Sequence, residues 1–349
     1  MARILYGVMG DALGHVNRAL IVAEEMPWHE FLFVGGGKVH SLRDRGYPVE
    51  DVPIPSTFYR NNRVDVRATA GNAARVLLGR KAVIRRVAEV VTGFDPDLII
   101  TDYEYFTPLA ARSLGRMSVS LDHQHVITHC RYAIPKEERV SRLMTSQSIK
   151  RLYSRADRFL VSSFFRVPPV NPRTTEIFPP IIRRAVAEQR PTENDHVLVY
   201  QTSPTFERLF GMLEQMPHRF IIYGFGKRPS RKYLVFKAHS TDGFLQDLAA
   251  CRYVITNGGH NVVSEALYLG KPVFSFPIAN AYEQFLNAHF LARLGYGDYS
   301  LASRPARPVL EEFEARLHEF RVSIKEENFF GNEEVIARLE KLIATADRP

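Results

Sequence analysis

The feature that most constrains this chain is an alternation, made twice, of short apolar runs and amphipathic helical stretches. In the first half ILYGVMG (4–10), EFLFVGGG (30–37), DLIIT (97–101) and MSVSL (117–121) read as strands. Between them VNRALIVAEEM (16–26) and PLAARSLG (108–115) have helical spacing, with Val16, Leu20 and Ala23 on one face. The second half repeats the pattern. HVLVYQT (196–202), HRFIIYGFG (218–226), RYVITNGG (252–259) and PVFSFP (272–277) alternate with FLQDLAAC (244–251), NVVSEALYLG (261–270) and EQFLNAHFLARLG (283–295). Strands covered by helices on both faces are near-continuous apolar runs, so parallel α/β sheets are predicted. At roughly 150 residues per domain, the 349 residues predict two domains. VPPVNPRTTEIFPPIIRR (167–184) holds five prolines and is read as the linker, because proline disfavours both helix and central strand. The expected layout is a Rossmann-like domain over 1–166, the linker 167–184, and a domain over 185–349 whose last helices pack back toward the first. Two such doubly wound domains are expected to face across a cleft, with ligands beyond the carboxyl ends of the strands.

Composition removes other classes. Hydrophobic residues at 45% and charged residues at 24% are ordinary globular values, which excludes disordered and fibrous chains. Two cysteines exclude a disulfide scaffold and fit a reducing, cytoplasmic compartment. No apolar run reaches the roughly 18 residues of a membrane-spanning helix, and the start MARILYGVMG is not expected to be a signal peptide. The net charge of +8 favours anionic partners.

The most specific run is ITNGGHNVVSEALYLGKPVFSFPIANAYEQFLNA (255–288). A strand ends at Thr256, Asn257-Gly258-Gly259 make a side-chain-poor turn, and a helix begins near His260 or Asn261. Backbone amides at a helix N-terminus, approached through glycines, suit a phosphate. Glu265, one turn further in, suits a ribose diol. Beyond Pro277, Glu283 and Gln284 open another helix with a carboxylate and an amide suited to sugar hydroxyls.

This run resembles the nucleotide-sugar signature of GT-B glycosyltransferases, and is most similar to the UDP-glycosyltransferase and MurG-like branch (families 1 and 28). The resemblance implies that Gly258, Gly259 and Asn261 meet a diphosphate, Glu265 the ribose, and Glu283 and Gln284 the donor sugar, with Asn257 and His260 also among the donor-binding residues. Asn287-Ala288 completes the run. Many members have His where Asn257 stands and Ser or Thr where Val262 stands.

GVMGDALGHVNRAL (7–20) sets a glycine-rich turn after the first strand, then Gly14-His15 at a helix start. The same branch has Gly-His here; the resemblance implies that Gly14 is a donor-binding residue, and in the branch's inverting enzymes the His is often the general base. Imidazole titrates near neutral pH and can take the proton of an attacking hydroxyl, and a helix N-terminus disfavours imidazolium. In FDPDLIITDYEYF (94–106) Asp102 sits just past a strand's carboxyl end, where an Asp in the related family orients the His as in a triad. Asp95 and Asp97 form a D-x-D, but they precede the strand and read as a turn. SLDHQHVITHC (120–130) gathers Asp122, His123, His125, His129 and Cys130 at a spacing that fits no familiar zinc set. His123 or Gln124 is expected at the acceptor side, with His125 and His129 as loop residues. No metal site is expected.

From Arg60 to Arg86 eight basic residues face one acid, Asp65, and AARVLLGRKAVIRRVAEVV (73–91) fits one amphipathic helix. Such a helix can lie on anionic lipid. It lacks the interleaved aromatics of a single-strand binder, so a nucleic-acid partner is not expected. The retaining branch carries two glutamates eight positions apart. Val273 stands eight after Glu265 and Ser275 eight before Glu283, so that pattern is absent.

The resemblance therefore implies an inverting, metal-independent transferase of the hexosyl or N-acetylhexosaminyl type. Its donor would be a nucleotide-diphosphate sugar, UDP-linked, with no bound cofactor. The acceptor would be a hydroxyl, on a lipid or cell-envelope glycan precursor at the inner membrane face. Two alternatives share the fold: a non-hydrolysing UDP-sugar 2-epimerase and a catalytically inactive nucleotide-sugar-binding module.

Overall fold

In the computed structural model, which describes residues 1–238, 240–302 and 305–345, the chain divides into two compact units. The first comprises Met1–Phe58, Asp65–Arg183 and the chain from Phe330; the second comprises Tyr59–Val64 and Arg184–Phe329.

The first unit runs β1 (Arg3–Val8), α1 (Leu13–Glu25), β2 (Glu30–Gly35), β3 (Val49–Asp51), α2 (Val66–Leu78), α3 (Arg80–Phe94), β4 (Leu98–Asp102), α4 (Phe106–Ser113), β5 (Val119–Asp122), α5 (Arg139–Leu152), β6 (Arg158–Ser162) and β7 (Thr175–Phe178). The seven strands are all parallel, in the order β3-β2-β1-β4-β5-β6-β7. The order reverses between β1 and β4, and there Val8 stands opposite Asp102. Crossovers leave opposite faces of the sheet at such a point and open a crevice at the strand ends. Val16, Ala19 and Val22 of α1 pack on Ile4, Tyr6 and Ile100 of the sheet. The terminal helix (Asn332–Thr345) adds Val335, Leu339 and Leu342 to the same core. Its Asn332 side chain bonds both the amide (2.8 Å) and the carbonyl (2.9 Å) of Ile182.

Two expectations are corrected. The stretch read as a linker contains β7, whose residues pair with Phe159–Ser162 of β6. TEIF (175–178) is free of proline, and all five prolines flank it. As the last strand of the sheet it needs a partner on one side only, which tolerates such flanks. The expected single helix 73–91 is two helices meeting at Gly79. No residue of α2 is buried, whereas α3 buries Val87 and Val91.

The second unit runs β8 (His196–Tyr200), β9 (Arg219–Tyr223), β10 (Leu234–Phe236), β11 (Val254–Thr256), α6 (His260–Tyr268), β12 (Val273–Ser275), α7 (Tyr282–Arg293) and β13 (Gly297–Tyr299). Its six strands are parallel in the order β10-β9-β8-β11-β12-β13, with the reversal between β8 and β11. Aromatic rings dominate its core, with Phe220, Phe274 and Phe276 packed with Phe313 and Phe320. A small hairpin also belongs here, Tyr59–Arg60 paired with Arg63–Val64. Asn61 and Asn62 at its tip both have positive φ, as a type I′ turn requires. Val64 donates to the Ala279 carbonyl (3.0 Å) and Ala279 to that of Asn62 (3.0 Å). The hairpin thus braces the loop between β12 and α7.

Candidate active site

In the first unit the chain leaves β1 and enters α1 through Gly10. A Cβ at Gly10 would lie 1.7 Å from the Gly36 carbonyl oxygen, so only glycine lets the first two strand-end loops close on each other. Lys38 N–H then reaches the Gly10 carbonyl at 3.0 Å. His15 follows in the first turn of α1. Its Nδ1 lies 2.6 Å from Oδ1 of Asp102, the last residue of β4, whose side chain is wholly buried. A carboxylate only accepts, so Nδ1 carries the proton, and in the neutral imidazole Nε2 presents a lone pair.

Sequence reading missed the third member. Arg18, one turn beyond His15, donates to Asp102 through Nε (2.7 Å) and Nη2 (2.8 Å), and only 3% of its surface is exposed. Burial alone would lower its pKa, but Asp102's charge and hydrogen bonds outweigh that and raise it. Asp102 is therefore clamped by a permanent cation, and the trio is neutral overall while the imidazole is neutral. Tyr103 also escaped notice. Its φ of 53° is rare for a side-chain-bearing residue and strained. Its ring lies parallel to His15 (6.0 Å, 7°) and stacks on Tyr153 (4.0 Å).

The other predicted residues of this unit fall elsewhere. Asp97 accepts from the Arg3 amide (2.8 Å) and Asp95 pairs with Arg116 (2.9 Å), both at the amino end of β4 and away from Asp102. His123 and Gln124, expected to face an acceptor, are buried, and His123 donates to the Ser162 carbonyl at 3.0 Å. His125 and His129, expected as loop residues, lie at the N-cap and last position of a short helix (Val126–His129). His125 Nδ1 pairs with Asp122 at 2.6 Å. Burial works against the Asp122 charge, yet His125 and the bonds from His125 and Ser120 hold its pKa well below the usual carboxylate range. His129 stacks on Phe159 (3.8 Å), and burial, then His125, pulls it from 6.5 to about 4. A depressed imidazole contributes stability above its unfolded value, and that stability is lost as pH falls from 6.5 through about 4. The loss expected from His129 is about 2–3 kcal/mol. Thermal midpoints at pH 7 and pH 4 should therefore differ more in the parent than in His129→Gln.

In the second unit Gly258 has φ +87°, and a Cβ there would meet Ser275 Oγ at 2.7 Å and the Gln284 carbonyl oxygen at 2.9 Å. Asn287 Nδ2 donates to the Gly258 carbonyl at 2.9 Å. In a trans peptide the next N–H points the opposite way, so this bond aims the Gly259 amide away from Asn287. Gly259 then starts α6 with no side chain capping it. His260, Ser264 and Glu265 of α6 are buried, while Gly259 and Asn261 are half-exposed. Glu283 lies in the first turn of α7, and Gln284 Oε1 holds the Ile278 amide at 2.9 Å. One role is corrected. Asn257, expected among the donor-binding residues, is fully buried, and its Oδ1 accepts from Thr202 N–H (2.8 Å) and Oγ1 (3.1 Å). Its Nδ2 donates to Gln201 and, at 3.5 Å, to the Phe276 carbonyl. It ties together the strand ends β8, β11 and β12, and does so from the inside. Gly14 lies within the first turn of α1, beside His15.

Two parallel α/β units, each with its glycine turn and helix start at a strand-order reversal, define a GT-B glycosyltransferase. The chain matches the profile of glycosyl transferase family 1 over residues 2–318 and belongs to that family. An uncharacterized glycosyltransferase of Methanosarcina acetivorans is 24% identical over 340 residues, covering 88% of each chain. Among solved structures the chain is similar to Acinetobacter baumannii MurG, at TM-score 0.63 and 15% identity over 97% of this chain and 99% of that one. It is also similar to Phytolacca americana UGT2, determined with UDP-2fluoro-glucose and pterostilbene, at TM-score 0.69 and 14% identity over 99% and 100%. Among the described residues no helix is long and apolar enough to cross a membrane.

Proposed function

We propose that the chain transfers a sugar with inversion, without a metal, from a UDP-sugar to a hydroxyl acceptor. The observation that carries this is the His15–Asp102 pair at 2.6 Å, on the strand-order reversal of the first unit. In the proposed step His15 Nε2 takes the acceptor hydroxyl proton while that oxygen attacks the anomeric carbon. The bond from that carbon to the diphosphate oxygen breaks. Asp102 holds the imidazole through Nδ1, and Arg18 holds Asp102. Tyr103 flanks the imidazole and fixes its plane. The leaving diphosphate sits on the Gly258-Gly259 turn at the start of α6, where backbone amides and the helix dipole offset its charge. The placement of Asp95 and Asp97 at the far end of β4 supports a mechanism that does not use them as metal ligands. Glu265 binds the ribose, and Glu283 and Gln284 the sugar. The basic segment 60–91, whose helix α2 buries no residue, supports a position against anionic membrane on the cytoplasmic side.

Glu265→Gln keeps the volume and removes the charge that strengthens a bond to a ribose hydroxyl. Donor affinity by calorimetry should weaken by about 1.5–3 kcal/mol. Equal affinity for UDP in parent and variant would remove Glu265 from the donor site.

A further inference from the structure

The first unit has a cavity of about 510 Å³ that the proposed chemistry leaves unused. It lies between the Ile127–Tyr132 stretch and α5. Arg131, Arg139, Arg142 and Lys150 line it. Arg142 sits over the Tyr132 ring (4.3 Å), and Arg131 and Arg142 reach only main-chain carbonyls, at 3.4 Å each. Among the described residues no carboxylate pairs with any of the four. Four uncompensated cations around one concavity are mutually repulsive, and an anionic ligand relieves that repulsion.

Beside the cations the wall is mixed, with apolar Ile127, Tyr132, Leu143 and Val170 and polar Thr128, Ser146 and Gln147. The helix α5 is also amphipathic in an unusual sense. It buries only Ile149, while Val140, Leu143 and Met144 are 60–68% exposed. Their i, i+3, i+4 spacing makes one outward apolar stripe beside the cations. A free inorganic anion has no use for that stripe; a lipid with a charged headgroup uses both. A relay of ring contacts links the cavity wall to the candidate site. Thr128 and Cys130 in its wall bracket His129, whose ring contacts His125 (5.1 Å). His125 contacts Tyr103 (6.3 Å), whose ring runs parallel to His15 at 6.0 Å.

We propose that this cavity binds the phosphate headgroup of an anionic lipid, with the hydrocarbon against the α5 stripe. The inference rests on the glycosyltransferase reading only in making that lipid the class of acceptor; the binding itself stands apart from it.

The test is flotation of the full chain with phosphatidylglycerol or phosphatidylcholine vesicles, using Arg139→Gln/Arg142→Gln and, separately, Leu143→Glu. Binding to phosphatidylglycerol should fall about tenfold or more in the charge variant and also in Leu143→Glu, with phosphatidylcholine binding weak throughout. Water-soluble short-chain phosphatidylglycerol should compete, and inorganic phosphate should not. The proposal is overturned if the charge variant floats like the parent, or if inorganic phosphate competes equally. It is also overturned if Leu143→Glu abolishes self-association in sedimentation and leaves flotation intact, since the stripe then belongs to a second copy. UDP affinity, measured on the same proteins, reports separately on the glycosyltransferase reading. Its absence in the parent would overturn that reading and leave the flotation result standing.

Discussion

Replacing His15 by Ala is expected to lower turnover about 10²- to 10⁴-fold, the usual share of a general base, while donor affinity stays at the parental value. That corresponds to about 3–5 kcal/mol of lost transition-state stabilisation. The separation follows from where the groups lie. His15 belongs to α1 of the first unit, whereas the residues proposed for the donor belong to α6 and α7 of the second. The Arg18–Asp102 bonds do not involve the imidazole, so the variant keeps that buried pair. Single-turnover rates and UDP calorimetry on one preparation make the comparison. A variant that turns over at the parental rate would take His15 out of the chemistry.

The second large effect is on stability. Arg18→Met removes the cation that faces Asp102 and leaves the carboxylate buried with only the imidazole as a partner. Breaking a buried ion pair from one side costs about 3–5 kcal/mol, which for a domain of this size lowers the melting midpoint by about 10 °C. Arg18→Met/Asp102→Leu removes both charges and should recover most of that loss, because an apolar pair of similar volume tolerates the same space. The double variant should stay inactive, since nothing then orients His15. Differential scanning calorimetry reads the first effect and turnover the second. Recovery of stability together with activity would show that Asp102 does not act through His15.

Much of this was legible in the residues. The two-fold alternation of apolar runs and helices gave the pair of parallel sheets. Gly14-His15 after one strand and Asp102 at the end of another are 87 positions apart at their polar ends, yet the parallel register of β1 and β4 brings them to 2.6 Å. Gly258 and Asn287 were legible as a pattern; that one bonds the other's carbonyl was not. Arg18 was invisible for a physical reason. A lone Arg in a helix is normally solvated, and only its distant partner on β4 makes burial tolerable. Tyr103 was hidden because no sequence pattern marks a positive φ at a tyrosine. The hairpin at 59–64 departs from its neighbours to join the second unit, and β7 hides among prolines that lie just outside it. In both cases local composition described the chain correctly and the tertiary partner decided its place.

The most direct test of the account is the anomeric configuration of the sugar released from an α-linked UDP-sugar, followed by proton NMR in EDTA before mutarotation. Water can stand in for the acceptor hydroxyl, so the measurement needs no knowledge of the acceptor. β-Sugar should be the first product, formed without added metal and lost in His15→Ala. First release of α-sugar, or activity that disappears in EDTA and returns with manganese, would contradict it.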